Sequence, residues 1–247
     1  MKKIVVITGA TAGIGAASAV AFAKEDCNVV INYRKSEKAA LAENVAEKCR
    51  EYGAETLCVK ADVSDIDQCR NMINEIMNKF GRIDILVNNA GTSKVAFLSN
   101  HDPAVYREVV SCTQDSVFNM MSLAAPVMKK QKYGKIINIS SLAATHGSQG
   151  LTAYAAAKAA VEAMTRCAAR ELARSGVRVN AVCPGAVNTE SYASGLPEEH
   201  IKELKRSIAV GKLAEPEEIA SFIVAICSDK FDSLTGEVIN ITGGMVL

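Results

Sequence analysis

The sequence lacks the residue spacing that builds metal sites or disulfide frameworks. Its three histidines, His101, His146 and His200, are far apart, and none of its eight cysteines form a C-x-x-C pair. Zinc sites and small disulfide-stabilised folds depend on such spacing. We therefore expect no metal site, and most of the cysteines are interpreted as small buried hydrophobic residues.

Neither sign of charge is in excess. The 247 residues include 28 lysines and arginines against 27 aspartates and glutamates, a formal net charge of +1. This balance gives no overall attraction to nucleic acid or to anionic membranes. With no linker, repeat or low-complexity segment, residues 1–247 are expected to form one domain.

Long hydrophobic runs are also scarce, and the one candidate lies at the N-terminus. Residues 4–23 are uncharged and follow Lys2 and Lys3, which imitates a secretion signal or a membrane span. However, Thr8, Gly9 and Gly13 lie where such a segment would be rich in leucine and isoleucine. We therefore expect a cytoplasmic protein without a membrane helix.

Short apolar segments alternate with helical patterns along the whole chain. Strands are predicted at residues 4–7, 28–32, 56–60, 83–87, 135–139, 177–182 and 237–241. Helices are predicted after Gly13, at 37–52, at 65–80 with Ser64 as N-cap, within 103–130, at 153–174 and from Pro216. This alternation predicts an α/β fold, a single-domain Rossmann-type doubly wound parallel sheet with helices on both faces.

Glycine and polar residues follow the predicted strands. The run from Thr8 to Gly15 joins the first strand to a helix, so its backbone N–H groups could approach a pyrophosphate. A tight turn that binds no ligand also needs small residues, so the glycine turn by itself leaves a purely structural role open. The other strand ends carry Asp62-Val63, Asn88 to Gly91, Ser140-Ser141 and Pro184 to Thr189. In a parallel sheet these ends converge on one crevice.

Tyr154 and Lys158 are four residues apart, and Ser141 precedes them. On a helix this spacing puts the phenol and the ammonium on one face, where the cation could stabilise a phenolate. The pattern predicts acid–base chemistry on a carbonyl or alcohol.

The motifs together resemble the short-chain dehydrogenase/reductase family over essentially the whole chain. They are Thr8-Gly9-x-x-x-Gly13-Ile14-Gly15, Asp62-Val63, Asn88-Asn89-Ala90-Gly91, Ser141, Tyr154-x-x-x-Lys158, and Pro184-Gly185 with Thr189. Within the family the chain looks most like the 3-oxoacyl-(acyl-carrier-protein) reductases, in residues 154–159, 178–182 and 235–245. Many steroid, sugar and xenobiotic carbonyl reductases share this scaffold.

The resemblance implies roles for individual residues. Tyr154 would be the general acid, Ser141 would hold the substrate oxygen, and Lys158 would bind the nicotinamide ribose and lower the tyrosine pKa from its usual ~10. The implied cofactor-binding residues are Gly9, Thr11, Ala12, Gly13, Ile14, Gly15, Tyr33, Arg34, Asp62, Val63, Asn89, Ala90, Gly91, Tyr154, Lys158, Pro184, Gly185, Val187 and Thr189.

The end of the second strand favours NADP over NAD. An NAD-selective site commonly places an acid there, but this chain has Arg34 and Lys35, with no acid before Glu37. The alternative is that both cations belong to a solvated loop. Ala12 also stands where these reductases often carry a basic residue.

One implied catalytic position departs from the family pattern. The helical asparagine that usually supports a water in the proton relay to Lys158 falls on Thr113. Thr113→Asn is therefore expected to raise turnover. The alternative is a reorganised site in which asparagine is too large.

The substrate is less constrained than the chemistry. We expect NADPH-dependent reduction of a ketone to a secondary alcohol, foremost the ketone of a 3-oxoacyl thioester. One alternative is a dehydrogenase for hydroxysteroids, sugars or other small secondary alcohols. The other is a nucleotide-binding regulatory protein with weakened catalysis. Residues 92–98 and 191–210 are expected to flank the crevice. Six basic residues could form a surface that docks an acyl carrier protein, and the alternative is that they are ordinary solvated surface. They are Lys129, Lys130, Lys132, Arg166, Arg170 and Arg174. The resemblance implies a homotetramer.

Overall fold

The computed structural model describes residues 1–190 and 197–245, and these contain one seven-stranded sheet. Its strands are β1 (Ile4–Ile7), β2 (Asn28–Tyr33), β3 (Thr56–Lys60), β4 (Ile85–Asn88), β5 (Gly134–Ile139), β6 (Val177–Pro184) and β7 (Val238–Ile241). All neighbouring strands are parallel, in the order β3-β2-β1-β4-β5-β6-β7. The predicted doubly wound α/β fold is confirmed.

Helices cover both faces of this sheet. They are α1 (Gly13–Lys24), α2 (Ala39–Arg50), α3 (Ile66–Phe80), α4 (Pro103–Val110), α5 (Ser116–Gln131), α6 (Ala143–His146), α7 (Thr152–Leu172), α8 (Glu198–Ser207) and α9 (Pro216–Ile226). A π-helical turn, Ser111–Asp115, joins α4 to α5.

Two apolar cores form because alternate side chains of each strand point to opposite faces. In β1, Val5 and Ile7 pack into the core under α1, α2 and α9, whereas Ile4 and Val6 pack into the core under α3, α5 and α7. Burial on both faces explains why the strand reads as a continuous apolar run. This burial holds the strands rigid, so that their carboxyl ends can position a site.

The predicted elements exist, with ends that agree within three residues, and one predicted cap is wrong. Asp65, not Ser64, is the N-cap of α3, because its carboxylate accepts hydrogen bonds from the backbone N–H groups of Asp67 and Gln68. The Ser64 hydroxyl instead donates to Asp62 at 2.7 Å. Both residues are good N-caps, and the sequence alone does not distinguish them.

The N-terminal apolar segment is part of the folded sheet. Its residues form β1, the glycine turn and α1, and Phe22 near the end of α1 is 1% exposed. Within residues 1–190 and 197–245, none of the helices has the length and apolar character needed to span a bilayer.

Candidate active site

Four neighbouring strands deliver the conspicuous polar and glycine segments to one edge of the sheet. The adjacent strands β1, β4, β5 and β6 end at the glycine turn, at Asn88, before Ser140 and at Pro184. The chain winds one way from β1 to β3 and the other way from β4 to β7. Ligands of such sheets bind at this reversal point, at the carboxyl ends of the strands.

The glycine turn is tied to the end of β4. The Thr8 hydroxyl accepts from the backbone N–H groups of Asn89 and Ala90, each at 3.0 Å. In return, Asn89 Nδ2 donates to the carbonyls of Thr8 at 2.9 Å and Gly9 at 3.0 Å. Asn89 therefore fixes the glycine turn against the end of β4.

Two glycines of the turn adopt backbone conformations that other residues avoid. Gly9 and Gly13 have φ values of 61° and 54°. A Cβ at Gly15 would lie 2.5 Å from Asn89 Nδ2, so that position must lack a side chain for packing. A Cβ at Gly13 would lie 3.1 Å from Thr189, which places Thr189 against the turn.

Helix α1 begins at this turn with free N–H groups. Its N-cap, Ala12, offers no side-chain hydrogen bond, and its first turn contains no acidic residue. A helix N-terminus of this kind favours an anion. Gly9, Thr11, Ala12, Gly13, Ile14 and Gly15 therefore fit a cofactor pyrophosphate.

The far end of the crevice carries Arg34 just beyond β2. Arg34 is exposed, and its Nη1 donates to Cys112 Sγ at 3.1 Å. Burial raises the pKa of the Cys112 thiol, and the neighbouring Arg34 opposes this rise. Lys35 pairs with Glu37 at 3.7 Å. Arg34 is thus the one of the two predicted cations that contacts the π-helical turn.

Ser141, Tyr154 and Lys158 come together as predicted from their spacing. Ser141 follows β5, and its hydroxyl is near enough to Tyr154 on α7 to lower the pKa of the phenol. Lys158 Nζ lies 5.6 Å from the centre of the tyrosine ring and donates to the Ile139 carbonyl at 2.5 Å. A serine hydroxyl, a phenol and an ammonium therefore share one small region.

The electrostatics of this group differ from the sequence expectation. Burial raises the pKa of Tyr154, and the neighbouring Ser141 hydroxyl opposes this rise. Lys158 does not bring the pKa of the phenol below its usual value. Burial also lowers the pKa of Lys158 from 10.5 to about 8. The ammonium is committed to the Ile139 carbonyl, and desolvation dominates both groups. Tyr154 is consequently a protonated donor at neutral pH.

Thr113 lies beside Lys158 but has its own partners. It is fully buried in the π-helical turn, and its hydroxyl donates to the Thr92 carbonyl at 3.0 Å and accepts from the Thr92 N–H at 3.2 Å. A Cβ at Gly91 would lie 3.6 Å from both Thr113 Oγ1 and Lys158 Nζ. Thr113 thus braces the segment that follows β4.

The remaining predicted residues lie at the same edge of the sheet. Val63 is buried, Tyr33 ends β2, Gly185 donates its N–H to the Ile241 carbonyl, and Val187 forms a bridge with Ala214. Part of the predicted flanking segment, residues 191–196, lies outside the described residues. Within residues 1–190 and 197–245, no group of three or more histidine, cysteine or acidic side chains could hold a metal ion.

Sequence reasoning missed several side chains around the site. Cys183 is buried near the end of β6, where it raises the pKa of Tyr154 and that of Lys158. Glu162 is buried on α7 and bonded to Ser140, one of the predicted strand-end residues. The signal for Glu162 was available, since it is one helical turn after Lys158.

The comparisons with known proteins cover the whole of this site. A family model described as enoyl-(acyl carrier protein) reductase matches residues 9–246. The 3-oxoacyl-(acyl-carrier-protein) reductase FabG of Staphylococcus aureus strain Mu50 is 35% identical over 247 residues, covering 100% of this chain and 99% of the relative. FabG of Thermotoga maritima is 38% identical, with 99% and 98% covered. The corresponding Synechocystis reductase is 37% identical, with 99% and 97% covered.

Proposed function

Because the chain belongs to the short-chain dehydrogenase/reductase family, we propose that it reduces the ketone of a 3-oxoacyl thioester to a secondary alcohol, using NADPH. The observation that carries this proposal is that Tyr154 and the buried Lys158 meet at the end of β5, with Lys158 Nζ 5.6 Å from the tyrosine ring and Ser141 beside them. Residues 1–247 act as one dinucleotide-binding and catalytic domain.

The nicotinamide supplies the hydride when it is bound. The Ser141 hydroxyl holds the ketone oxygen against Tyr154, and Tyr154 donates its phenolic proton to that oxygen as negative charge develops. The raised pKa of Tyr154 keeps the phenol protonated at neutral pH, which suits a general acid in the reductive direction. Lys158 returns a proton toward the tyrosine and binds the ribose.

Three features support NADPH as the cofactor. The glycine turn leads into the free N-terminus of α1, no acid lies at the end of β2, and the exposed Arg34 follows β2 and reaches Cys112. A guanidinium is well suited to a phosphate, whereas an acid at this position would bind the ribose hydroxyls of NADH. Lys35 contributes less, because Glu37 already neutralises it.

An acyl carrier protein is the proposed source of the thioester. Both the relatives and the matching family model name this carrier. Lys129, Lys130 and Lys132 lie together at the end of α5 and could bind its acidic surface. We further propose a cytoplasmic location, since the one apolar run that resembles a secretion signal forms β1 and α1.

A substrate panel tests the proposal. NADPH oxidation is followed with acetoacetyl-carrier protein, acetoacetyl-coenzyme A, an enoyl thioester, a steroid ketone and no substrate. We expect the acetoacetyl thioesters to be reduced fastest, with the carrier-bound form ahead. Faster reduction of the enoyl thioester or the steroid would overturn the substrate assignment, and no reduction of any ketone would overturn the reaction itself.

A further inference from the structure

Helix α7 buries three polar side chains along one side. Lys158, Glu162 and Thr165 are 3%, 4% and 0% exposed. Their spacing of four and then three residues aligns them on the helix face that packs on the sheet. Lys158 belongs to the proposed site, but the mechanism gives Glu162 and Thr165 no role.

Each of the three is bonded to strand β5 or to the residue after it. Lys158 reaches the Ile139 carbonyl, and Asn138 Nδ2 donates to Thr165 Oγ1 at 2.8 Å. Between these two contacts, the Ser140 hydroxyl donates to Glu162 Oε1 at 2.7 Å. The polar face therefore fixes how α7 is placed along β5.

Glu162 is the costliest member of this face to bury. A carboxylate removed from water is destabilising unless other groups compensate it. Its partners are the Ser140 hydroxyl and Arg166, whose Nη2 lies 3.5 Å from Oε2. Ser140 directly precedes Ser141, so this contact lies one residue from the serine proposed to hold the substrate oxygen.

The main chain beside Ser141 is held from two sides. On the β6 side, the Ser140 N–H donates to the Val182 carbonyl at 2.7 Å. On the α7 side, the Ser140 side chain is anchored to Glu162, on the same helix that carries Tyr154. The contact between Glu162 and Ser140 thus joins the segment that carries Ser141 to α7, the helix that carries Tyr154.

We propose that Glu162 is a positioning residue for ketone reduction, acting through Ser140 to hold Ser141 in register with Tyr154. This inference rests on the roles proposed above for Ser141 and Tyr154. Because a reacting group displaced by about 1 Å can slow catalysis on the order of 100-fold, loss of the anchor should affect the catalytic step more than binding.

The test compares Ser140→Ala, Glu162→Leu and Glu162→Gln with the unsubstituted enzyme. We expect the first two to lower kcat by about tenfold or more, with little change in the dissociation constant of NADPH. Glu162→Gln should retain most of kcat, since its amide oxygen still accepts from Ser140. The Ser140→Ala and Glu162→Leu double variant should be no slower than either single variant, because both remove one contact.

Thr165→Val is the matched control, because it removes a polar contact of the same helix face at a distance from Ser141. It should lower the melting temperature without lowering kcat. The inference is overturned if kcat is unchanged in Ser140→Ala, if the two single effects add, or if Thr165→Val lowers kcat equally. A Tyr154→Phe variant that keeps full turnover would instead overturn the proposed site.

Discussion

Tyr154 is the residue on which the proposed chemistry depends most directly. Ser141 lies beside it, and its ring is partly buried in the wall of the crevice. Tyr154→Phe keeps the ring and removes the proton. We expect turnover to fall by roughly 10²- to 10⁴-fold, the usual contribution of a general acid, while NADPH binding by fluorescence stays near normal. Near-normal turnover in the variant would exclude Tyr154 as the acid.

Lys158 should make activity depend on pH. Since burial lowers its pKa to about 8, the ammonium loses its proton as pH rises through that value. If proton return to Tyr154 requires the ammonium, kcat/KM for reduction should decline above about pH 8. A reduction profile that stays flat to well above this pH would contradict the role given to Lys158.

The lowered pKa of Lys158 also makes the free energy of unfolding depend on pH. Its pKa is about 8 when folded, against 10.5 ordinarily, so between these values the unfolded chain binds more protons. Stability therefore rises with pH across this window, and the burial penalty is fully present below it. Lys158→Met, which keeps a linear side chain, should flatten this part of the stability curve in denaturant titrations.

Arg34 should determine the choice of cofactor. Arg34→Asp combined with Lys35→Ala removes a charge-assisted contact worth about 1.5 to 3 kcal/mol and adds a carboxylate for the ribose of NADH. We expect the ratio of the two dissociation constants to shift at least tenfold toward NADH. Lys35→Ala alone is the control and should change the ratio little, because Lys35 already pairs with Glu37. An unmoved ratio in the double variant would remove Arg34 from the phosphate site.

At this scale the sequence predicted which residues meet, but not what their surroundings do to them. The spacing of Tyr154 and Lys158 is a local helical property and was sufficient to predict their shared face. The raised pKa of Tyr154 and the Ile139 contact of Lys158 depend on burial between elements distant in sequence. No local pattern encodes these effects.

At the scale of elements, the π-helical turn between α4 and α5 determines what Thr113 does. This turn directs the Thr113 side chain inward, where both hydrogen-bonding capacities of the hydroxyl are used by Thr92. The contacts favour the second of the two sequence alternatives, a reorganised site, over a simple loss of the relay asparagine.

Thr113→Asn should therefore lower stability and not raise turnover. The larger side chain enters a fully buried position, and overpacking of this kind costs about 1–3 kcal/mol. Thr113→Ser, which keeps the hydroxyl, should remain close to the unsubstituted enzyme in melting temperature and rate. An asparagine variant that turns over faster at unchanged melting temperature would restore the relay hypothesis.

The elements themselves were largely predictable, and their ends were not. Short apolar runs identified the seven strands of the described sheet, and the signal is strongest for the inner strands, which are buried on both faces. The N-cap of α3 was misassigned because Ser64 and Asp65 are equally good candidates. Helix α8 was not predicted, and the π-helical turn has no sequence signature of its own.

For the whole molecule, the motifs predicted the family, and the match of the family model to residues 9–246 confirms it. These motifs are specific to the family because residues that build the fold and residues that form the site occur together in a fixed order along the chain.

The oligomeric state depends on which surfaces remain apolar after the chain has folded. On α4 and α5, Tyr106 is 41% and Phe118 is 58% exposed. Large apolar side chains of this kind favour burial against another copy of the chain.

We therefore expect a homotetramer with twofold axes, in which residues 104–130 and 153–174 and the C-terminal segment form the contacts. Light scattering at micromolar concentration should give a particle of about four times the 26.2 kDa chain mass. Phe118→Glu places a charge on the exposed face of α5, so it should produce smaller particles without changing the fold measured by circular dichroism. Lys60→Glu, on exposed surface near the outer strand β3, is the control for added negative charge and should leave the particle mass unchanged. A 26.2 kDa particle for the unsubstituted protein would exclude the tetramer, and an unaltered particle in Phe118→Glu would exclude this face as its interface.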